Sequence, residues 1–125
     1  MGRVYESLDV KGRPCWTLFD TGSRNTYVVR EVAKLLATTK VDQPRRTGLG
    51  GAVRELTESA ILVASVNGRS LDTHAFVIDE LASDEQGKPI EILFGALAMR
   101  QWGIRPLPDE ERLDLSRYSS EWVEY

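Results

Sequence analysis

The stretch AILVASVNGRSLDTHAFVID, residues 60–79, sets two runs rich in β-formers around Asn67–Gly68. An Asn-Gly pair between such runs is the strongest short-range hairpin signal, because both central residues of the tight turn need positive φ. A lone hairpin cannot bury its own face, so further strands must cover it. RVYESLDVKGRPCWTLFD (3–20) reads as a second hairpin around the turn KGRP, TYVV (26–29) as extended chain, and PIEILFG (89–95) as another strand. Two segments change period: REVAKLLATTK (30–40) brings Val29, Val32, Ala33 and Leu36 to helical spacing, and ALAMRQW (96–102) reads as a short helix stopped by Gly103. The expectation is an all-β chain with one or two short helices.

Between these lies VDQPRRTGLGGAVRELTESA (41–60), which supports two readings. Val53, Leu56, Ala60 and Ile61 fit one face of a helix, whereas Gly48, Gly50 and Gly51 favour a mobile hairpin tip. The polar ELASDEQGK (80–88) reads as a surface loop. IRPLPDEER (104–112), with two prolines and clustered charge, is expected to leave the core before a last strand, SEWVEY (120–125). Strand alternation gives the first hairpin its main point of interest: Cys15, Thr17 and Phe19 face one side, and Trp16, Leu18 and Asp20 the other. An acidic side chain is thereby delivered beside two large apolar groups and handed to the turn Thr21-Gly22-Ser23. On its own, Asp-Thr-Gly is a common turn in which the Asp caps backbone amides.

Bulk properties narrow the classes. The 125 residues, 42% of them hydrophobic, suit one compact domain with an ordinary core. A net charge of −3, with sixteen basic residues spread among nineteen acidic ones, gives no electrostatic reason for a nucleic-acid partner. The apolar runs are too short to span a bilayer, and MGRVYESLDV lacks a signal-peptide core, so no membrane partner is expected and a soluble, cytoplasmic protein is. Cys15, the single cysteine, allows neither an internal disulfide nor a cysteine metal cluster, and is expected to pack as a small hydrophobe. His74 has no second histidine for a metal site or a Ser-His-Asp triad. The glycines at 48, 50 and 51 are not followed by Lys-Ser/Thr, which argues against a phosphate-binding loop. Trp16 and Trp102 are expected in the core, Trp122 and Tyr125 on a contact surface.

Three segments in order, LFDTGS (18–23), TGLGG (47–51) and ILFGALAMRQWGI (92–104), resemble the retropepsin-like aspartic proteases, and the resemblance spans most of the chain. It implies a closed β-barrel half acting as a symmetric homodimer. The domain would cover residues 1–107, with 108–125 as a charged tail and interface strand. Asp20 would be catalytic, one from each subunit. Thr21 would bond across the dimer axis, Gly22 would let substrate backbone approach, and Ser23 would donate a hydrogen bond near Asp20. Gly48, Leu49, Gly50 and Gly51 would form the substrate-binding flap. The partners implied are a polypeptide substrate and a second copy of the chain, with no cofactor or metal. Two positions depart from the family: Arg24 and Ala96 stand where retroviral members often carry an acid and an arginine.

The chemistry accounts for the same residues independently. Hydrolysis of a peptide bond by water needs one carboxylate to take a proton and one carboxylic acid to polarise the carbonyl. One Asp cannot do both, so a second copy must supply the other. Apolar Leu49 and Val53 point to hydrophobic residues beside the cleaved bond. The alternative is a catalytically silent dimerisation or peptide-binding module of the same fold, in which Arg24, beside the dyad, keeps both carboxylates charged.

Overall fold

The computed structural model describes residues 2–119 and 121. Its first hairpin pairs β1 (Arg3–Val10) with β2 (Arg13–Asp20) in unbroken antiparallel register from Arg3↔Asp20 to Val10↔Arg13. The turn is Lys11–Gly12 alone, both at positive φ (51° and 84°), with the Gly12 N–H donating to Asp9 Oδ1 at 2.8 Å. Arg13 and Pro14, expected in a four-residue turn, are therefore already strand. Two-residue turns of this kind match the right-handed twist of the strands they join. Asn67–Gly68 does the same between β5 (Ala52–Val66) and β6 (Arg69–Ile78), as the sequence predicted.

The uncertain stretch 41–60 is hairpin and not helix. β4 (Ala37–Leu49) runs antiparallel to β5 around Gly50–Gly51, again both at positive φ. Its register shifts between Lys40 and Arg45, a segment that contains Pro44. A proline has no N–H for the ladder, so it is tolerated where pairing is interrupted on an edge strand. The helix expected over 30–40 is cut to one turn, α1 (Arg30–Ala33), because Ala37–Lys40 pair with Ile61–Glu58. Its apolar spacing is real, since Val32 and Ala33 are buried, but the β-branched Thr38 and Thr39 are used by the sheet.

β3 (Tyr27–Val29) and β7 (Ile92–Phe94) complete a seven-stranded sheet in the order β1-β2-β7-β3-β6-β5-β4. The sheet curls so that Asp9 of β1 also pairs with Ser65 of β5; this one pair is the extent to which it meets itself. β7 sits parallel to β2 and antiparallel to β3, and all three of its residues are buried, as a strand covered on both faces requires. The alternation predicted for β2 holds. Cys15 and Phe19 join a large cluster with Leu8, Val28, Phe94, Met99 and Trp102, while Leu18 joins a second with Tyr27, Leu56, Phe76, Ile90 and Leu93. Trp16 packs on the second cluster, half-buried and stacked on Tyr5. Burial pushes the Cys15 thiol up, which keeps it protonated and inert.

α2 (Ala96–Trp102) ends at Gly103 in the left-handed conformation, as expected. The chain then stays on the core instead of leaving it. β8 (Arg105–Leu107) and β9 (Arg112–Asp114) form a small hairpin, and Ile104, Pro106 and Leu113 are buried. Tyr118 stacks on Trp102 with ring centroids 6.0 Å apart and donates its hydroxyl to the Ser70 carbonyl at 2.6 Å. Of the expected strand over 120–125 only Glu121 is described, in no strand; the contact role of Trp122 and Tyr125 rests on residues outside those described.

Candidate active site

Asp20 is the last residue of β2 and is 8% exposed. It shares a strand face with Leu18, so its carboxyl sits at the rim of the second apolar cluster. Oδ1 accepts the Gly22 N–H at 2.8 Å, and the Asp20 carbonyl accepts the Ser23 N–H at 3.1 Å. Oδ2 lies 3.3 Å from Nε of Arg3, the residue directly across the hairpin. The arginine side chain is 56% exposed, which limits such a pair to about 1 kcal/mol or less.

The loop that carries Asp20 is held from below by the segment LFG and the helix after it. Gly95 donates its N–H to the buried Thr26 Oγ1 at 3.0 Å. Ala96 and Leu97, at the start of α2, donate to the carbonyls of Ser23 (2.7 Å) and Arg24 (3.2 Å). Those first-turn N–H groups have no partner within their own helix, so the loop satisfies the helix and the helix fixes the loop. Gly95 is required by contact: a Cβ there would stand 2.2 Å from the Asn25 carbonyl oxygen.

The remaining loop side chains turn elsewhere. Ser23 Oγ donates to the Asn25 carbonyl at 3.0 Å and not toward Asp20. Thr21 is exposed and exchanges hydrogen bonds with Gly2 of its own chain: its N–H donates to the Gly2 carbonyl at 2.9 Å, and its Oγ1 accepts the Gly2 N–H at 3.0 Å. Arg24 is exposed and makes no ion pair among the described residues. The cation at Asp20 is Arg3. Sequence reasoning missed it because a turn of KGRP shifts the register and moves Arg3 away from Asp20, whereas a turn at Lys11–Gly12 alone places them opposite.

The β4–β5 hairpin borders a cleft of about 640 Å³ whose lining includes Arg3 and Leu18, the neighbours of Asp20, but not Asp20, Thr21, Gly22 or Ser23 themselves. Leu49, Gly50, Ala52 and Arg54 line it from the hairpin tip, Arg3, Tyr5 and Leu18 from β1 and β2, and residues 80–85 from the far side. Of the flap residues expected from the sequence, Leu49 and Gly50 border the cleft; Gly48 and Gly51 do not. Val53 faces the opposite side of β5 from Arg54 and is 64% exposed, so it is not a wall of the cleft. Close to its tip the hairpin is anchored by a 3.0 Å hydrogen bond between the hydroxyls of Tyr27 and Thr47, and Arg45 lies over the Phe76 ring. Across the cleft, Asp84 is fixed in place: desolvation opposes its charge, but N–H donors from Lys88, Trp16 and Gln86 hold its carboxyl below the usual range.

No protein-family model matches the sequence, and no curated protein is similar to it. Solved structures are similar in shape. The retroviral protease-like domain of Ddi1 from Leishmania major superposes with a TM-score of 0.64 at 12% identity, covering 93% of this chain and 90% of that one. The fold is retropepsin-like. A foamy viral protease-reverse transcriptase gives a TM-score of 0.58 at 12% identity over 85% of this chain, which spans 12% of that longer chain. The likeness covers most of this chain and is one of fold. Among the described residues, no group of three His, Cys, Asp or Glu side chains could hold a metal ion, and no helix is long and apolar enough to cross a membrane.

Proposed function

We propose that this chain is an aspartic endopeptidase whose working form is a symmetric homodimer, with water activated between two Asp20 carboxylates, one from each copy. The observation that carries this reading is the placement of a single, almost buried carboxyl on a loop braced by Gly95 and α2, with its ion-pair partner Arg3 and its strand neighbour Leu18 lining the cleft that the hairpin borders. The chemistry then dictates the partner. One carboxyl per chain supplies either the base or the acid of the reaction, and a two-fold axis through the loop supplies both. The substrate is an extended polypeptide segment bound as an added strand under the hairpin. Thr21, now on Gly2, would have to exchange that partner to bond across the axis, and Gly22 leaves room for substrate backbone.

Two carboxylates at hydrogen-bonding distance share one proton, so the rate should be bell-shaped in pH with an optimum on the acidic side of neutrality. Best activity in alkali would exclude the dyad. The direct test is digestion of a peptide library, together with titration by a hydroxyl-containing transition-state mimic. Cleavage, and stoichiometric inhibition at one mimic per two chains, is the expected outcome; no cleavage and no binding would remove the reading.

One observation favours a second reading, a silent peptide-binding or dimerisation module. Arg3 occupies Asp20 Oδ2 within the single chain, so that oxygen already has a partner before a second copy approaches. Restoration of cleavage by Arg3→Gln in an otherwise inactive protein would identify that module.

A further inference from the structure

Among the described side chains that line the cleft, Arg54 is the charged one with a buried polar atom that has no hydrogen-bond partner. Its Nε is buried and has no partner, and the residue makes no ion pair among those described. Burying a charged N–H without a partner is unfavourable, which leaves this guanidinium unsatisfied in the single chain. The hairpin register fixes where it points. Arg54 pairs with Thr47, whose hydroxyl is tied to Tyr27, and Ala52 beside it also lines the cleft. The nearby cations are already engaged, Arg3 with Asp20 and Arg45 with the Phe76 ring. Asp84 on the far wall is occupied by Trp16 and backbone N–H groups, and Glu80 and Glu85 line the cleft without forming an ion pair to Arg54.

We propose that Arg54 is a specificity residue which binds the carboxylate of an Asp or Glu side chain in the extended peptide occupying the cleft. This rests on the reading that the cleft takes a peptide. A planar guanidinium offers a fork of donors that matches a carboxylate, and the half-buried setting weakens competition from water. The preference complements the apolar contact from Leu49: one position of the peptide is acidic, and its neighbours are free to be hydrophobic.

The test uses the full chain carrying Asp20→Asn, which holds peptides uncut, and a positional-scanning library of extended peptides capped at both ends, so that no terminal carboxylate competes. One fixed position should select Asp or Glu, and replacing that Glu by Gln should weaken binding roughly tenfold. In the same background Arg54→Gln should erase the preference, with an unchanged Tm showing that its fold is kept, and Arg54→Lys should keep part of it. A preference that survives Arg54→Gln, including one owed to the Arg3 that Asp20→Asn releases, would overturn the assignment. So would peptide binding with no acidic position. Failure of every peptide to bind would instead remove the peptide-cleft reading, so the two failures are distinguishable.

Discussion

A methyl group on Gly95 would press 2.2 Å from the Asn25 carbonyl oxygen and 2.8 Å from that of Arg24, and neither is the end of a flexible side chain. Gly95→Ala must therefore displace the loop that carries Asp20. The expected cost is about 3 kcal/mol, seen as a lower Tm, with activity lost beyond what the unfolded fraction explains. Full stability in this variant would show that the loop is not clamped by α2. At this scale the sequence revealed Asp20 and its neighbours readily, because alternation along β2 is a strict two-residue rule and puts Asp20 on the Leu18 side. Arg3 was hidden by a turn taken two residues too long. Arg54 was hidden for another reason: its register depended on choosing hairpin over helix for 41–60, and apolar spacing alone could not decide that.

Elements differ in how much of their cause is local. The Asn67–Gly68 hairpin and α2 are set by their own turn and stop residues, and both stand where the sequence put them. α1 is shortened by a strand pairing across 18 to 24 residues, which no local period encodes. The β8–β9 hairpin was missed because its prolines and charges look like a departing tail, although Leu113 returns to the core at 6% exposure. Leu113→Ala should accordingly cost about 2–5 kcal/mol and lower Tm, where a departing tail would show no change. The same hairpin carries a pH signature. Hydrogen bonds from the backbone and side chain of Ser116, and then Arg105, hold the Asp114 carboxyl down to about 2 from its usual 3.8. A depressed carboxyl contributes stability that is fully present above the unfolded value and lost as pH falls through the folded one. The hairpin should thus stay docked across the acidic range in which a carboxylate dyad works. Carboxyl NMR should place the Asp114 midpoint near 2, and Arg105→Gln should raise it; an unshifted midpoint would contradict the pairing.

For the whole molecule, the order of three segments along the chain carried the fold, and the retropepsin-like sheet with its hairpin and α2 realises that order. The proposed partner, a second copy of the chain, rests on stoichiometry, since one carboxyl per chain would be half of a dyad. Mixing the wild type with Asp20→Asn at fixed total concentration measures both claims at once. With random dimers and only wild-type pairs active, cleavage should follow the square of the wild-type fraction, falling to about one quarter in an equal mixture. A linear fall to about one half, or undiminished cleavage by pure Asp20→Asn, would contradict a site built from two Asp20 side chains.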